Sequence, residues 1–294
     1  MNLPKNRFTC LHTHTDFCDG KGDVESYCQS AWDKGLHSLG FSSHAPTGKK
    51  TGISDSSWNK MGDRLQEYAQ TVNAAKRRWE GRLPVFLGLE VDFIPGLMSP
   101  MDRDYQNLGL DYIIGSVHYV IPPHGAPFTV DSSLIKVEKG IKEGFGGDPL
   151  AMVEAYYDSL EMLIKSGGFD FLGHPDLVKK HNLENRFFDE DSQYYRKRCQ
   201  TAAGLAGKYG IAIEVNTGGM NRRYLDSPYP SLQLLEMFCK NNVPALISAD
   251  AHNREDLDGH YKEAAETLLA AGYTEMLLFE GRKNNSPVWV REKL

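Results

Sequence analysis

The chain has 294 residues, 40% hydrophobic and 24% charged. That suits α/β architecture burying about three quarters of its unfolded surface without disulfide staples. A net charge of −6 argues against the clustered basic face that nucleic acid requires, and no segment reaches the ~20 apolar residues that span a bilayer.

A first strand is predicted at residues 8–11, followed by a helix at 23–35 that closes on Gly35. A strand at 38–41, a long amphipathic helix at 56–81 and strands at 85–89 and 112–116 come next. Residues 119–149 read as a long loop rich in Gly and Pro, and 149–168 as a helix. Then follow a strand at 169–172, a polar loop at 177–192, a helix at 191–210, a strand at 211–215, a helix at 230–242 and a strand at 245–248. A helix at 260–272 and a possible eighth strand at 276–279 end the series. Gly or Asn after each helix supplies the stop signal.

Repeated β-α units make parallel strands with helical crossovers. Seven or eight units favour a closed barrel, here expected to occupy residues 1–294 as one domain. An open doubly wound sheet is disfavoured because no G-x-G-x-x-G follows the first strand. In such barrels the loops after the C-terminal strand ends carry the active site. The five cysteines are odd in number and show no C-x-x-C spacing, so neither a disulfide framework nor a zinc knuckle is expected. A reducing cytoplasm is the expected compartment. The opening "MNLPKNRFTCLHTH" has no apolar run of signal-peptide length.

The strand ends are where the chemistry gathers. "CLHTHTDFCDG" carries His12, His14 and Asp19; "FSSHAP" carries His44; "GLEVDF" carries Glu90 and Asp92. "GSVHYV" carries His118, "FLGHPD" carries His174 and "ALISADAHN" carries Asp250 and His252. Residues two apart on a strand share a face, so the H-x-H and D-x-H pairs each aim two donors one way. Either pair alone is weak. Together with four more His or carboxylate residues at strand ends they predict a polynuclear metal site. Mixed imidazole and carboxylate donors suit zinc, manganese or iron better than calcium. Asp92 is expected to orient a ligand rather than to ligate, and Glu214 and Asn216 are expected to support the site or pack the strand rather than to touch substrate. Cys18 reads as packing, and His37 and His260 as structural or solvated.

These segments, together with "GHPDLVKKH" and "IEVNTGGMNR", resemble the PHP (polymerase and histidinol phosphatase) family, in its monofunctional histidinol-phosphate phosphatase branch. The resemblance spans residues 11–252. It implies a distorted (β/α)7 TIM-like barrel with three divalent metal ions. His12, His14, Glu90 and Asp250 would hold the first. Glu90 would bridge to a second held by His118 and His174, and Asp19, His44 and His252 would hold the third. Asp19 stands where many relatives have histidine, and Ser43 where an acidic residue is commoner.

The resemblance further implies hydrolysis of L-histidinol phosphate in histidine biosynthesis. A hydroxide bridging two metals would be a competent nucleophile near neutral pH, with Glu90, Asp250 and His252 as the catalytic set. It also puts a phosphate-binding arginine in the segment of Arg222 and Arg223, without saying which. His181 and His124, in the two long loops, are candidates for substrate contact. Asp92, Asp131 and Asp176 are available for a cationic amine. Two other readings stand beside this one: a phosphoesterase acting on another phosphomonoester or a nucleotide, and amide or lactone hydrolysis on an amidohydrolase-type barrel. The expected partner is a small phosphorylated substrate, with no nucleic acid and no membrane.

Overall fold

The computed structural model describes residues 8–47, 51, 53 and 61–294. Seven parallel strands form one sheet in the order β1 (Thr9–Cys10), β2 (Ser38–Phe41), β3 (Val85–Asp92), β4 (Tyr112–Ser116), β7 (Phe171–Leu172), β8 (Ala212–Asn216) and β9 (Ala245–Ser248). Strands β5 (Tyr119–Val120) and β6 (Phe128–Thr129) form a small antiparallel hairpin inserted between β4 and β7. The barrel closes just beyond the ends of β1 and β9. There Thr13 bridges Ala251, with the His14 amide donating to the Ala251 carbonyl at 2.9 Å and the Ala251 amide to the His12 carbonyl at 3.0 Å. These are the seven strands expected, with limits that differ by up to three residues.

The helices are α1 (Val24–Lys34), α2 (Leu65–Arg78), α3 (Arg103–Gln106), α4 (Leu134–Gly144), α5 (Pro149–Ser166), α6 (Gln193–Tyr209), α7 (Gly218–Asn221), α8 (Leu232–Lys240) and α9 (Tyr261–Ala270). Their ends follow capping chemistry. Asp23 caps α1 by accepting from the Ser26 amide at 2.7 Å, and Gly35 ends that helix with a left-handed φ of 70°. Asp148 caps α5 ahead of Pro149. The expected start of the second helix, at 56–60, lies outside the described residues.

Helix α4 was not expected; its segment reads as loop because Gly140 and Gly144 interrupt the pattern. Gly140 is needed there, since a Cβ would lie 2.6 Å from the Phe128 ring on β6.

The strands alternate faces with a period of two. On β3, Val85, Leu87, Leu89 and Val91 join the core between barrel and helices. Phe86, Gly88, Glu90 and Asp92 take the opposite face, toward the barrel interior. On β8, Ile213 and Val215 face the helices, and Ala212, Glu214 and Asn216 the interior. The lower interior is apolar: Leu11, Phe86, Tyr112, Ile114, Phe171, Ala212 and Leu246 pack together. Tyr112 fills it, and a Cβ on Gly88 would sit 2.3 Å from its ring.

The possible eighth strand is not a barrel strand. It is β10 (Glu275–Lys283), paired antiparallel with β11 (Ser286–Lys293). This hairpin stops the N-terminal end of the barrel. Phe279 meets Phe86 at 4.8 Å and Tyr112 at 5.6 Å, and Trp289 meets Phe171 at 6.2 Å. With that end filled, the polar part of the interior lies toward the C-terminal strand ends.

Candidate metal centre

Each polar side chain is delivered by a short device at a strand end. After His14 the chain reverses through Thr15–Gly20, with the amides of Cys18 and Gly20 both donating to the Thr15 carbonyl at 3.0 Å. Gly20 passes so close to His14 that a Cβ would lie 2.2 Å from its carbonyl oxygen. This reversal returns Asp19 over the barrel. His44 bridges Glu90 in parallel register. His174 and Asp250 adopt positive φ, 25° and 47°. Such backbone strain in non-glycine residues persists where the surroundings hold it, and it concentrates at functional sites.

Glu90 is the hub. Its Oε2 lies 2.9 Å from His44 Nδ1, 3.3 Å from His12 Nε2 and 3.6 Å from His14 Nε2. Its Oε1 lies 3.0 Å from His174 Nε2 and 3.5 Å from His118 Nε2. Asp250 Oδ1 is 3.2 Å from His14 Nε2, 3.7 Å from His12 Nε2 and 3.4 Å from His252 Nδ1. Asp19 reaches His252 Nε2 at 3.2 Å, His14 Nδ1 at 3.8 Å and His44 Nε2 at 3.9 Å. All nine sequence-predicted ligands therefore meet at one end of one barrel.

The donor set fits divalent cations. His12 Nε2, His14 Nε2, Asp19 Oδ1, Glu90 Oε2 and His174 Nδ1 are buried without a hydrogen-bond partner among the described residues. Each such orphan costs about 1–3 kcal/mol unless something satisfies it. Donor atoms of nine side chains converge in four overlapping groups: His14–Asp19–His44–His252, His12–His174–Asp250, His12–His14–Glu90 and His44–Glu90–His118. Mixed nitrogen and oxygen donors of this kind suit divalent metal cations.

Electrostatics keep the carboxylates ionised. Burial alone would raise Glu90, but His12, His44 and His118 hold it well below the usual carboxylate range. Asp250 is buried too, and Arg222 and His12 hold it down. Asp19 is lowered against burial by His252, His44 and His14. Burial, with His252 and His44 alongside, pushes His14 down to about 3. His118 is raised against burial to about 9 by Asp92 and Glu90. Against burial, nearby carboxylates raise His12, His44 and His118, so a cation binding there would displace protons from those imidazoles, whereas His14 is already in the neutral form that ligates.

Several imidazoles are held from behind. His12 Nδ1 lies 2.8 Å from Glu214 Oε1, and His118 Nδ1 lies 2.8 Å from Asp92 Oδ1. An acceptor at Nδ1 fixes the tautomer that leaves Nε2 free to ligate. Glu214 also accepts from the His174 amide at 3.2 Å and from the Asn216 side chain at 2.9 Å. Cys18 has a part beyond packing: its Sγ lies 3.4 Å from His14 Nδ1.

The arginine doublet divides cleanly. Arg222 donates to Asp250 Oδ2 at 2.9 Å and to His252 Nδ1 at 2.8 Å. Gly218 makes room for this, since a Cβ there would lie 2.7 Å from Asp250 Oδ2. Arg223 is exposed and faces a separate surface cavity with Asp226 and His260. His181 is half-buried, with Nε2 donating to the Ser132 carbonyl at 2.6 Å, so it ties the two long loops together. His124 is exposed. His37 pairs with Glu280 and His260 with Glu263, both away from the site.

Sequence reasoning missed Lys180. Its ammonium donates to the Asp131 carbonyl at 2.5 Å and lies over the Tyr224 ring at 4.4 Å. Burial lowers its pKa, and nearby Arg222 adds to that against the pull of Asp131. Nothing in "LVKKHN" distinguishes it from a solvated lysine; only the folded loop does.

Comparison with known proteins agrees with this geometry. The PHP domain model matches residues 11–218. A "Probable histidinol-phosphatase" of Deinococcus radiodurans is 30% identical over 262 residues, covering 89% of this chain and 92% of that protein. Two crystal structures share the fold. One, from Listeria monocytogenes and named for the same activity, has a TM-score of 0.76 at 22% identity, covering 87% of this chain and 99% of the other. The second is histidinol phosphate phosphatase from Lactococcus lactis, complexed with zinc, L-histidinol and phosphate. It has a TM-score of 0.64 at 18% identity, covering 96% and 99%. The chain belongs to the PHP family, in its histidinol-phosphatase branch.

Proposed function

We propose that this protein is a metal-dependent phosphomonoester hydrolase whose substrate is L-histidinol phosphate, in histidine biosynthesis. The observation that carries the reading is the convergence on Glu90 of five imidazoles, with Asp19, Asp250 and His252 completing the cluster and Arg222 at its edge. The chemistry of the named relatives points the same way.

We assign three divalent ions. The first belongs to His12, His14, Glu90 and Asp250, the second to Glu90, His118 and His174, and the third to Asp19, His44 and His252. The two Glu90 oxygens face different imidazole sets, which supports a bridging carboxylate. Bound cations would supply the Lewis acidity that brings water's pKa near neutrality and offsets phosphate charge.

The protein's own groups do the rest. Arg222 presents a planar fork suited to phosphate oxygens, and Lys180 adds a second cation from the loop after β7. Glu214 and Asp92 hold His12 and His118 in the ligating tautomer. The filled barrel bottom closes the site to water from below. All five cysteines are free thiols, which supports a reducing, cytoplasmic compartment; among the described residues no helix is long and apolar enough to cross a membrane.

The test is phosphate release from L-histidinol phosphate by zinc- or manganese-loaded protein, beside phenyl phosphate. A kcat/KM of about 10⁴ M⁻¹s⁻¹ or more, far above the aryl ester, is expected. Equal, slow turnover of both esters would refute the substrate assignment.

A further inference from the structure

His14 faces two ways. Its Nε2 lies 3.2 Å from Asp250 Oδ1 and 3.6 Å from Glu90 Oε2, and is buried without a hydrogen-bond partner among the described residues. Its Nδ1, on the other side of the ring, lies 3.8 Å from Asp19 Oδ1. The residue accordingly belongs to two groups of converging donors, one with His12 and Glu90 and one with Asp19, His44 and His252. A neutral imidazole can ligate through only one nitrogen, because the other carries the proton. Which nitrogen keeps the proton therefore decides which ion His14 serves.

For His12 and His118 a carboxylate makes that choice, with Glu214 and Asp92 each 2.8 Å from the respective Nδ1. Behind His14 no carboxylate is close enough, since 3.8 Å to Asp19 is too long for a hydrogen bond. The atom within reach is Cys18 Sγ, 3.4 Å from Nδ1, an ordinary separation for the larger sulfur. Cys18 is fully buried, and the fold fixes its place. Its amide donates to the Thr15 carbonyl at 3.0 Å, and the Thr15 hydroxyl lies 3.2 Å from that of Ser43. The reversal that returns Asp19 over the barrel thus also sets a thiol behind His14. The His252 ring, stacked at 4.2 Å, covers one face of the imidazole.

We propose that Cys18 is a positioning residue: its Sγ accepts the Nδ1 proton of His14, which commits Nε2 to the ion shared with His12, Glu90 and Asp250 and withholds His14 from the group of Asp19, His44 and His252. The inference rests on the metal-dependent reading above and names the residue that sorts His14 between two ions.

The experiment has two readouts, neither of which is turnover. Zinc affinity is measured by chelator competition in wild type, C18A and C18S. The His14 tautomer is read by ¹⁵N NMR on zinc-loaded, ¹⁵N-histidine-labelled protein, with the resonances assigned by their absence in H14Q. Wild type should show a protonated Nδ1 and a metal-bound Nε2. C18A should bind zinc about 10-fold more weakly, the low end for an orienting partner because sulfur is a weak acceptor. C18S differs from C18A only by an oxygen that can accept, and should recover most of the loss. Equal loss in C18A and C18S would mean that the thiol only packs, and would overturn the proposal. Unchanged affinity in both, or a metal-bound Nδ1 in wild type, overturns it as well. Any of these results in a wild type that binds zinc removes the Cys18 assignment alone, whereas a wild type that binds no zinc overturns the metal-dependent reading and this inference with it. Should C18A fail to fold, the wild-type tautomer decides.

Discussion

Replacing Glu214 with Gln changes one atom of a buried carboxylate and leaves its shape. Three donors converge on the original group: His12 Nδ1 at Oε1 (2.8 Å) and more weakly at Oε2 (3.1 Å), and the His174 amide and the Asn216 side chain at Oε2. An amide offers only one acceptor oxygen. If its nitrogen takes the Oε2 position, it opposes two donors. If it takes the Oε1 position, it opposes the His12 Nδ1 proton, or moves that proton to Nε2, where it blocks ligation. Either way at least one hydrogen bond to a charged acceptor is lost and a buried donor is left unpaired, at a cost of about 1–3 kcal/mol. Because His12 carries the loss, it should be read as about 10–100-fold weaker metal binding. Competition with a chelator of known affinity measures this, and circular dichroism melting checks that the barrel still folds. A folded variant whose metal affinity stays within about twofold of wild type would refute the claim that Glu214 positions His12.

Glu90→Ala removes the one side chain that faces both imidazole sets, and turnover should fall by more than about 10³-fold; near-normal kcat/KM would defeat the polynuclear assignment. Arg222→Ala should raise KM for the phosphate ester roughly 10-fold or more, while Arg223→Ala leaves it unchanged. The reverse pattern would move the phosphate contact to Arg223. Phe279→Ala should destabilise the protein by about 3–5 kcal/mol in urea unfolding, because the ring is fully buried against Phe86 and Tyr112. A loss below about 1 kcal/mol would mean the hairpin does not stopper the barrel.

Much of the site was legible because barrel chemistry uses short-range rules. H-x-H and D-x-H follow from strand periodicity, and alternation along β3 puts Glu90 and Asp92 on the face opposite Leu89 and Val91. Asp19 was legible from its place after "HTDFC", although only Gly20 and the reversal it permits return it to the cluster. What escaped depended on tertiary context. The eighth apolar run looked like one more strand, yet its partner is β11 and its aromatics fill the barrel bottom. Helix α4 hid behind glycines that exist to admit Phe128. Arg222 and Arg223 are indistinguishable as neighbours, and part because Arg223 takes a left-handed φ of 59° while Arg222 reaches Asp250. Lys180 gave no local signal at all.

Nine side chains converge in one cluster, and the proposed function requires that cluster to hold several ions. The most direct measurement is the number of zinc or manganese equivalents bound per chain, by mass spectrometry after stripping and reloading, in wild type and Glu90→Ala. The account predicts that wild type saturates at three and that the variant loses the ions Glu90 bridges. A wild type that binds one ion or none, or a variant that keeps the full complement, would contradict it.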